Sequence, residues 1–160
     1  KSEFKWVGKK VTGQHNGHIK LADGTLTFKD NKIIGGTFNL DMKSITNDDL
    51  ADAGYNQKLV GHLKSDDFFG VDKFPVATLT LMESDVFANN SAEVKGKLTI
   101  KGITNPLSFT ATKNGNTYTA SILVDRSKYD VRYGSGSFFE NLGDKVIDDI
   151  FTLEVVLVVE

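Results

Sequence analysis

Side chains able to do chemistry are few and scattered along the chain. There are three histidines and no cysteine, which removes disulfides, thiolate nucleophiles and cysteine-rich zinc sites together. His15-x-x-His18 offers two imidazoles, but no third ligand follows at a suitable spacing, and Gly17 between them reads as a surface turn. His62 stands close to Asp66 and Asp67. A histidine–carboxylate pair can transfer protons, but a hydrogen bond closing a helix end is the preferred reading. The acidic doublets Asp48-Asp49, Asp66-Asp67 and Asp148-Asp149 lack the spaced ligands of a calcium loop. The first two follow Thr46 or Asn47 and Ser65, so they read as N-caps with acids in a first helical turn. Gly134-Ser135-Gly136-Ser137 is neither a nucleophile elbow nor a dinucleotide fingerprint, because Phe138 and Phe139 stand where the latter needs glycine. No catalytic set, metal site or cofactor is expected.

Arginine is the one asymmetry. Two arginines, Arg126 and Arg132, stand against 17 lysines, and both fall within the nine residues Asp125 to Tyr133. The planar guanidinium fork suits carboxylate and phosphate oxygens better than an ammonium does. Arg126 and Arg132 are therefore candidates for a contact to the head group of an amphiphile. The simpler reading is an ion pair tying this loop to Asp144, Asp148 or Asp149.

The frame that must position these residues is rich in β-formers. Val, Ile, Thr and the aromatics make up 53 of 160 residues, and 11 of the 16 aromatics are Phe. The length fits one domain, residues 1–160. An apolar share of 39% is too high for disorder, and no run of about 18 apolar residues offers a membrane span. A net charge of −2 argues against a partner gripped through nucleic-acid phosphates. The chain opens on Lys1 rather than Met, as expected of a trimmed form whose leader lies outside it.

Apolar and polar residues alternate in about eight segments, the period of half-buried strands. Val94, Gly96, Leu98 and Ile100 against Lys95, Lys97, Thr99 and Lys101 is the cleanest example. Ala22-Asp23-Gly24, Lys29-Asp30-Asn31-Lys32 and Lys113-Asn114-Gly115-Asn116 read as turns. Leu59, Val60 and Leu63 recur at helical spacing, so the pattern predicts a short helix over Gln57–Lys64. Asp125 to Asp149 reads as a long ordered loop.

Strands with one apolar face must hide it, in a closed barrel or a two-sheet sandwich. Strand parity turns Trp6, Phe28, Phe38, Leu40, Leu79 and Leu81 inward, together with Leu98, Ile100, Phe109, Ile122 and Leu153. In a small barrel such residues either fill the core or line a cavity for one ligand. Phe68, Phe69, Phe138 and Phe139 lie off the strands, placed to gate a mouth or plug an end. Val156, Val158 and Val159 form an outward apolar stripe, suited to a homodimer contact or to packing under a loop.

Four stretches then carry a resemblance. Trp6-Val7-Gly8-Lys9-Lys10-Val11-Thr12-Gly13-Gln14-His15 is the first. Lys64-Ser65-Asp66-Asp67-Phe68-Phe69 follows, with Lys73-Phe74-Pro75-Val76-Ala77-Thr78. Gly96-Lys97-Leu98-Thr99-Ile100-Lys101-Gly102-Ile103-Thr104-Asn105-Pro106 and Arg132-Tyr133-Gly134-Ser135-Gly136 complete the set. Together they resemble the YceI-like family, in order and across nearly the whole chain. The resemblance implies an all-β fold: an eight-stranded antiparallel lipocalin-like barrel with a short helix near one end. It further implies a polyisoprenoid, isoprenoid quinone or fatty-acid-like lipid held in that barrel, and export to the bacterial periplasm or beyond. It implies no reaction, so the expected role is transport, storage or sequestration rather than catalysis. The alternative is a filled barrel serving as an interaction or stress-response module without a lipid.

Overall fold

The computed structural model describes residues 2–10, 13–133, 135–136 and 147–159. Eight strands follow one another around a closed barrel: β1 (Glu3–Lys10), β2 (Gly13–Lys29), β3 (Lys32–Asp41), β4 (Val76–Ser84), β5 (Ser91–Ile100), β6 (Ile103–Asn114), β7 (Thr117–Asp125) and β8 (Ile150–Val158). Each runs antiparallel to the next, and β8 returns to pair with β1, Trp6 opposite Leu153. Closure therefore leaves no free sheet edge at either end of the strand order. Of the barrel and the sandwich, the barrel is the fold.

Turn chemistry closes the ring. Asp30-Asn31, Asn89-Asn90 and Lys101-Gly102 all adopt left-handed backbone, with φ between 52° and 74°. This geometry matches the right-handed twist of the strands they join. Ala22-Asp23-Gly24 is not a turn. β2 runs unbroken through it, and the register with β3 shifts between Leu21 and Asp23. The extra residue is absorbed as a bulge, which a local reading of Asp-Gly cannot distinguish from a reversal.

Burial follows parity. On β5, Val94, Gly96, Leu98 and Ile100 are buried while Lys95 and Lys97 are exposed; on β8, Leu153, Val155 and Leu157 are buried. Val156 and Val158 are half-buried on the outer side, facing Glu3 and Thr119 and facing Thr117 in register. The β6–β7 ladder is short, running only from Asn114 opposite Thr117 to Ala111 opposite Ala120. Beyond it a 3-10 turn, Arg126–Tyr129, packs beside β6, and the Asn105 amide donates to the Lys128 carbonyl at 2.9 Å.

The helix α1 spans Ala53–Lys64, starting earlier than its apolar spacing predicts. Its N-cap is Asp52, which accepts from the Tyr55 N–H at 3.0 Å. Neither expected helix start is one. Asp48 and Asp49 face the histidines of β2, and Ser65 closes α1, its hydroxyl donating to the His62 carbonyl at 2.6 Å. Among the described residues no helix is long and apolar enough to cross a membrane.

Candidate functional site

The barrel interior divides along its axis. Beneath α1 lies a cavity of about 280 Å³. At the other end, among the described residues, lies a void of about 20 Å³, close to the volume of a single water. Individual strands show where the division falls. On β8, Phe151 and Leu153 line the cavity, while Val155 and Leu157 line the far void. On β4 the change comes between Ala77 and Leu79; on β5, Leu98 and Ile100 belong to the cavity. Phe4 and Phe38, 0% and 4% exposed, line neither space.

Of the residues that parity turns inward, Trp6, Leu40, Leu98, Ile100 and Leu153 meet at the cavity. Leu79, Leu81, Phe109 and Ile122 lie at the packed end, and Phe38 sits between the two. Phe28 belongs to an aromatic triangle with Phe87 and Tyr118, centroids 5.7 to 6.1 Å apart, which fills the far end. The ammonium of Lys113 lies over Phe28 and Tyr118 at 5.5 and 5.8 Å. Burial raises the Tyr118 phenol above its ordinary pKa.

A layer of helix and loop roofs the cavity. Leu59, His62 and Leu63 of α1 face into it, joined by Phe68 and Phe69 from the following loop. His62 meets Phe68 edge to face at 4.9 Å and Tyr133 at 4.4 Å; Phe69 stands against Phe151 at 6.5 Å. Phe138 and Phe139 lie outside the described residues. Met42, Ile45, Ile19 and Tyr133 also line the cavity, although nothing singled them out as site residues. Ile19 and the run from Phe38 through Met42 to Ile45 carried the signal, in their alternation.

Trp6 is held by a close approach of two chain segments. Its indole N–H donates to the Thr46 carbonyl at 2.8 Å. Gly17, opposite Trp6 in register, makes room for this contact. A Cβ there would fall 1.8 Å from the Thr46 oxygen and 2.6 Å from the indole nitrogen. Gly17 is thus a strand glycine chosen for space, not the turn its neighbours suggested. His15 and His18, both on β2, reach across to the loop that Thr46 begins. His15 Nδ1 pairs with Asp49 at 2.7 Å, and His18 Nδ1 pairs with Asp48. Burial acts on Asp49 to raise its pKa. The Asn16 N–H, His15 and the Asn47 amide outweigh that, and its carboxyl is held below the ordinary value. Among the described residues no group of three or more His, Asp or Glu could hold a metal ion.

The two arginines part company. Arg132 is exposed and its Nε donates to Asp130 at 2.5 Å; it does not line the cavity. Arg126 is 4% exposed and does. Its Nε donates to the Asp148 carbonyl at 3.0 Å, Nη1 to Val131 at 2.8 Å and Nη2 to Ile147 at 2.9 Å. For Arg126 the expected tie to the segment at Asp148 is made to backbone oxygens; Asp144, another expected partner, lies outside the described residues. Burial lowers the Arg126 pKa, opposed by the charges of Asp149, Asp125 and Asp148. Such a guanidinium stays charged. Lys9, Lys10 and Asp148, all exposed, stand at the cavity rim.

An eight-stranded antiparallel barrel, closed and packed at one end and hollow beneath a helix at the other, is a lipocalin-like barrel. The sequence model of the YceI-like domain matches residues 1–159, and the chain belongs to that family. Burkholderia cenocepacia BcnA is similar in structure, with 25% identity and a TM-score of 0.76 over 99% of this chain and 96% of that one. A YCEI protein of Campylobacter jejuni is 19% identical, with a TM-score of 0.61 over 89% and 84% of the two chains. A polyisoprenoid binding domain from Saccharophagus degradans, implicated in plant cell wall breakdown, is 14% identical. Its TM-score is 0.63 over 97% of this chain and 91% of that one. No curated protein matches the chain.

Proposed function

We propose that this protein binds a long-chain amphiphile, a polyisoprenoid, isoprenoid quinone or fatty-acid-like lipid, and carries, stores or sequesters it without chemical change. The observation that carries this reading is the apolar cavity beneath α1, about 280 Å³ and rimmed by Lys9, Lys10 and Asp148. Its size lies at the lower bound of small-molecule sites, roughly 300–1,000 Å³. Each methylene moved from water into such a space gains ~0.8 kcal/mol, so a handful of buried carbons offsets the cost of association. The Saccharophagus domain, described as polyisoprenoid binding, shares the barrel, which favours an isoprenoid among these chains. A periplasmic or secreted location accords with the family resemblance and belongs to the same proposal. The filled-barrel alternative suits only the end closed by Phe28, Phe87 and Tyr118.

Native mass spectrometry of unheated protein, followed by solvent extraction, tests the proposal. A hydrophobic molecule should co-purify and leave with the solvent. Farnesol added to the stripped protein should then change the fluorescence of Trp6, which is the one tryptophan of the chain and lines the cavity. Stripped protein whose fluorescence is indifferent to farnesol, and to a fatty acid in its place, would overturn the reading.

A further inference from the structure

We infer that a layer of side chains centred on Phe38 partitions the barrel and sets how much of a chain the protein can take in. The inference rests on the lipid-binding reading and adds its length rule: the site holds the end of a hydrocarbon chain, and anything longer leaves through the rim.

Phe38 stands where the two spaces part. One step along β3 on the same face, Leu40 lines the cavity; Leu79, directly across on β4, lines the far void, and Leu98, paired with Leu79 on β5, lines the cavity. The ring itself touches neither space and is 4% exposed. Its seat is shaped for it. Gly24 lies opposite in register, and a Cβ there would fall 2.5 Å from the ring. The glycine therefore lets the ring lie across β2 at a level where any other residue would displace it. On β1, Phe4 occupies the corresponding position, below Trp6 and in neither space.

The depth available is small. Leu98 and Ile100 on β5, or Leu153 and Phe151 on β8, are two inward positions, roughly 7 Å of strand at ~3.3 Å per residue. A chain entering from the rim meets the partition after that distance plus the space under α1. Below the partition, among the described residues, the void is about 20 Å³. Affinity for a homologous series should therefore climb by about fourfold per methylene while carbons enter the cavity, and then stop climbing.

The experiment measures Kd by Trp6 fluorescence for straight-chain primary alcohols of increasing length. The wild-type plot of log Kd against carbon number should break sharply. Phe38→Leu, which thins the partition, should move the break to chains about two to three carbons longer, matching the atoms removed. Ala77→Leu adds bulk on the cavity side and should move the break to shorter chains. Because it fills open space rather than emptying a packed core, it keeps the test alive if Phe38→Leu does not fold. Tight binding with no break, or with a break that neither variant moves, would overturn the partition and leave lipid binding standing. Failure of every alcohol to bind the wild type would instead remove the lipid-binding reading, and the length rule with it.

Discussion

Arg126 is the residue whose removal most directly tests how the barrel mouth is built. Its three hydrogen bonds join the end of β7 to two segments far along the chain or folded back on themselves, through the carbonyls of Ile147, Asp148 and Val131. Its own backbone N–H adds a fourth tie, to the Asp149 carbonyl at 2.8 Å. A hydrogen bond from a charged donor is worth roughly 1.5–3 kcal/mol net. Arg126→Met keeps much of the stem's packing but removes three such bonds and strands the carbonyls. Asp148 is exposed and its carbonyl can turn to water, so not all three count in full. The expected loss is about 3–5 kcal/mol, the sum of two to three such bonds discounted for the exposed carbonyl. Arg126→Lys restores the charge without the planar fork. One ammonium cannot meet three oxygens spread around a guanidinium, so it should recover about half of the loss or less.

Urea unfolding at neutral pH, followed by circular dichroism, measures both losses, with the m-value checking that the denatured state has not changed. Amide exchange locates them: the Asp148 amide, bonded to the Lys9 carbonyl at 2.8 Å, should lose protection in Arg126→Met before the β4 and β5 amides do. A loss under about 1 kcal/mol for Met, or a Lys variant as stable as wild type, would refute the argument that this guanidinium is the clasp of the mouth.

Gly17→Ala should destabilise the protein by about 3 kcal/mol or more, since the new Cβ would lie 1.8 Å from the Thr46 carbonyl and force the segments apart; thermal melting reads the loss, and a red-shifted Trp6 emission reports the broken indole bond. Asp49, with its pKa held below the ordinary value, stabilises the fold at pH above the usual carboxylate range and loses that contribution as pH falls through its folded pKa. Asp49→Asn should accordingly cost about 1 kcal/mol at neutral pH, a deficit that shrinks as acid protonates the folded carboxyl, and a deficit that persists undiminished in acid would contradict this. Leu153→Phe, placed on the cavity wall, should weaken uptake of farnesol tenfold or more with little change in melting temperature, because the added ring occupies space the ligand needs.

Parity made the inside of this barrel legible and left its height unread. Alternation in β5 separates inward from outward residues because its outer face meets water, whereas β8 is apolar on both faces near its end, and Val159, expected on the outward stripe, packs against the core. The same alternation treats Phe28 and Leu153 alike, although one closes the packed end and the other faces a cavity. Which inward residues share a level depends on register between strands. Register here turns on the bulge between Leu21 and Asp23 and on the left-handed turns at Asp30-Asn31 and Lys101-Gly102. A shift at any of these would leave every local pattern intact and regroup the lining. The helix shows the reverse failure. Its apolar positions Leu59 and Leu63 announce it, but Ala53 to Asn56 carry no such face, so its start is visible only as the Asp52 cap, one of several acids that local composition cannot rank.

Glycine positions explain why the hollow lies at one end. Phe38 lies flat because Gly24 has no side chain, and Trp6 lies against the wall because Gly17 has none. In each case the missing side chain lets a large ring approach the neighbouring strand closely. Leu79, opposite Phe38, lines the packed end, whereas Ala77 and Gly8, both small, line the cavity together with Trp6. The cavity thus lies where small residues share its lining with Trp6. Enlarging Ala77 should therefore shrink the hollow without disturbing the packing of either aromatic ring.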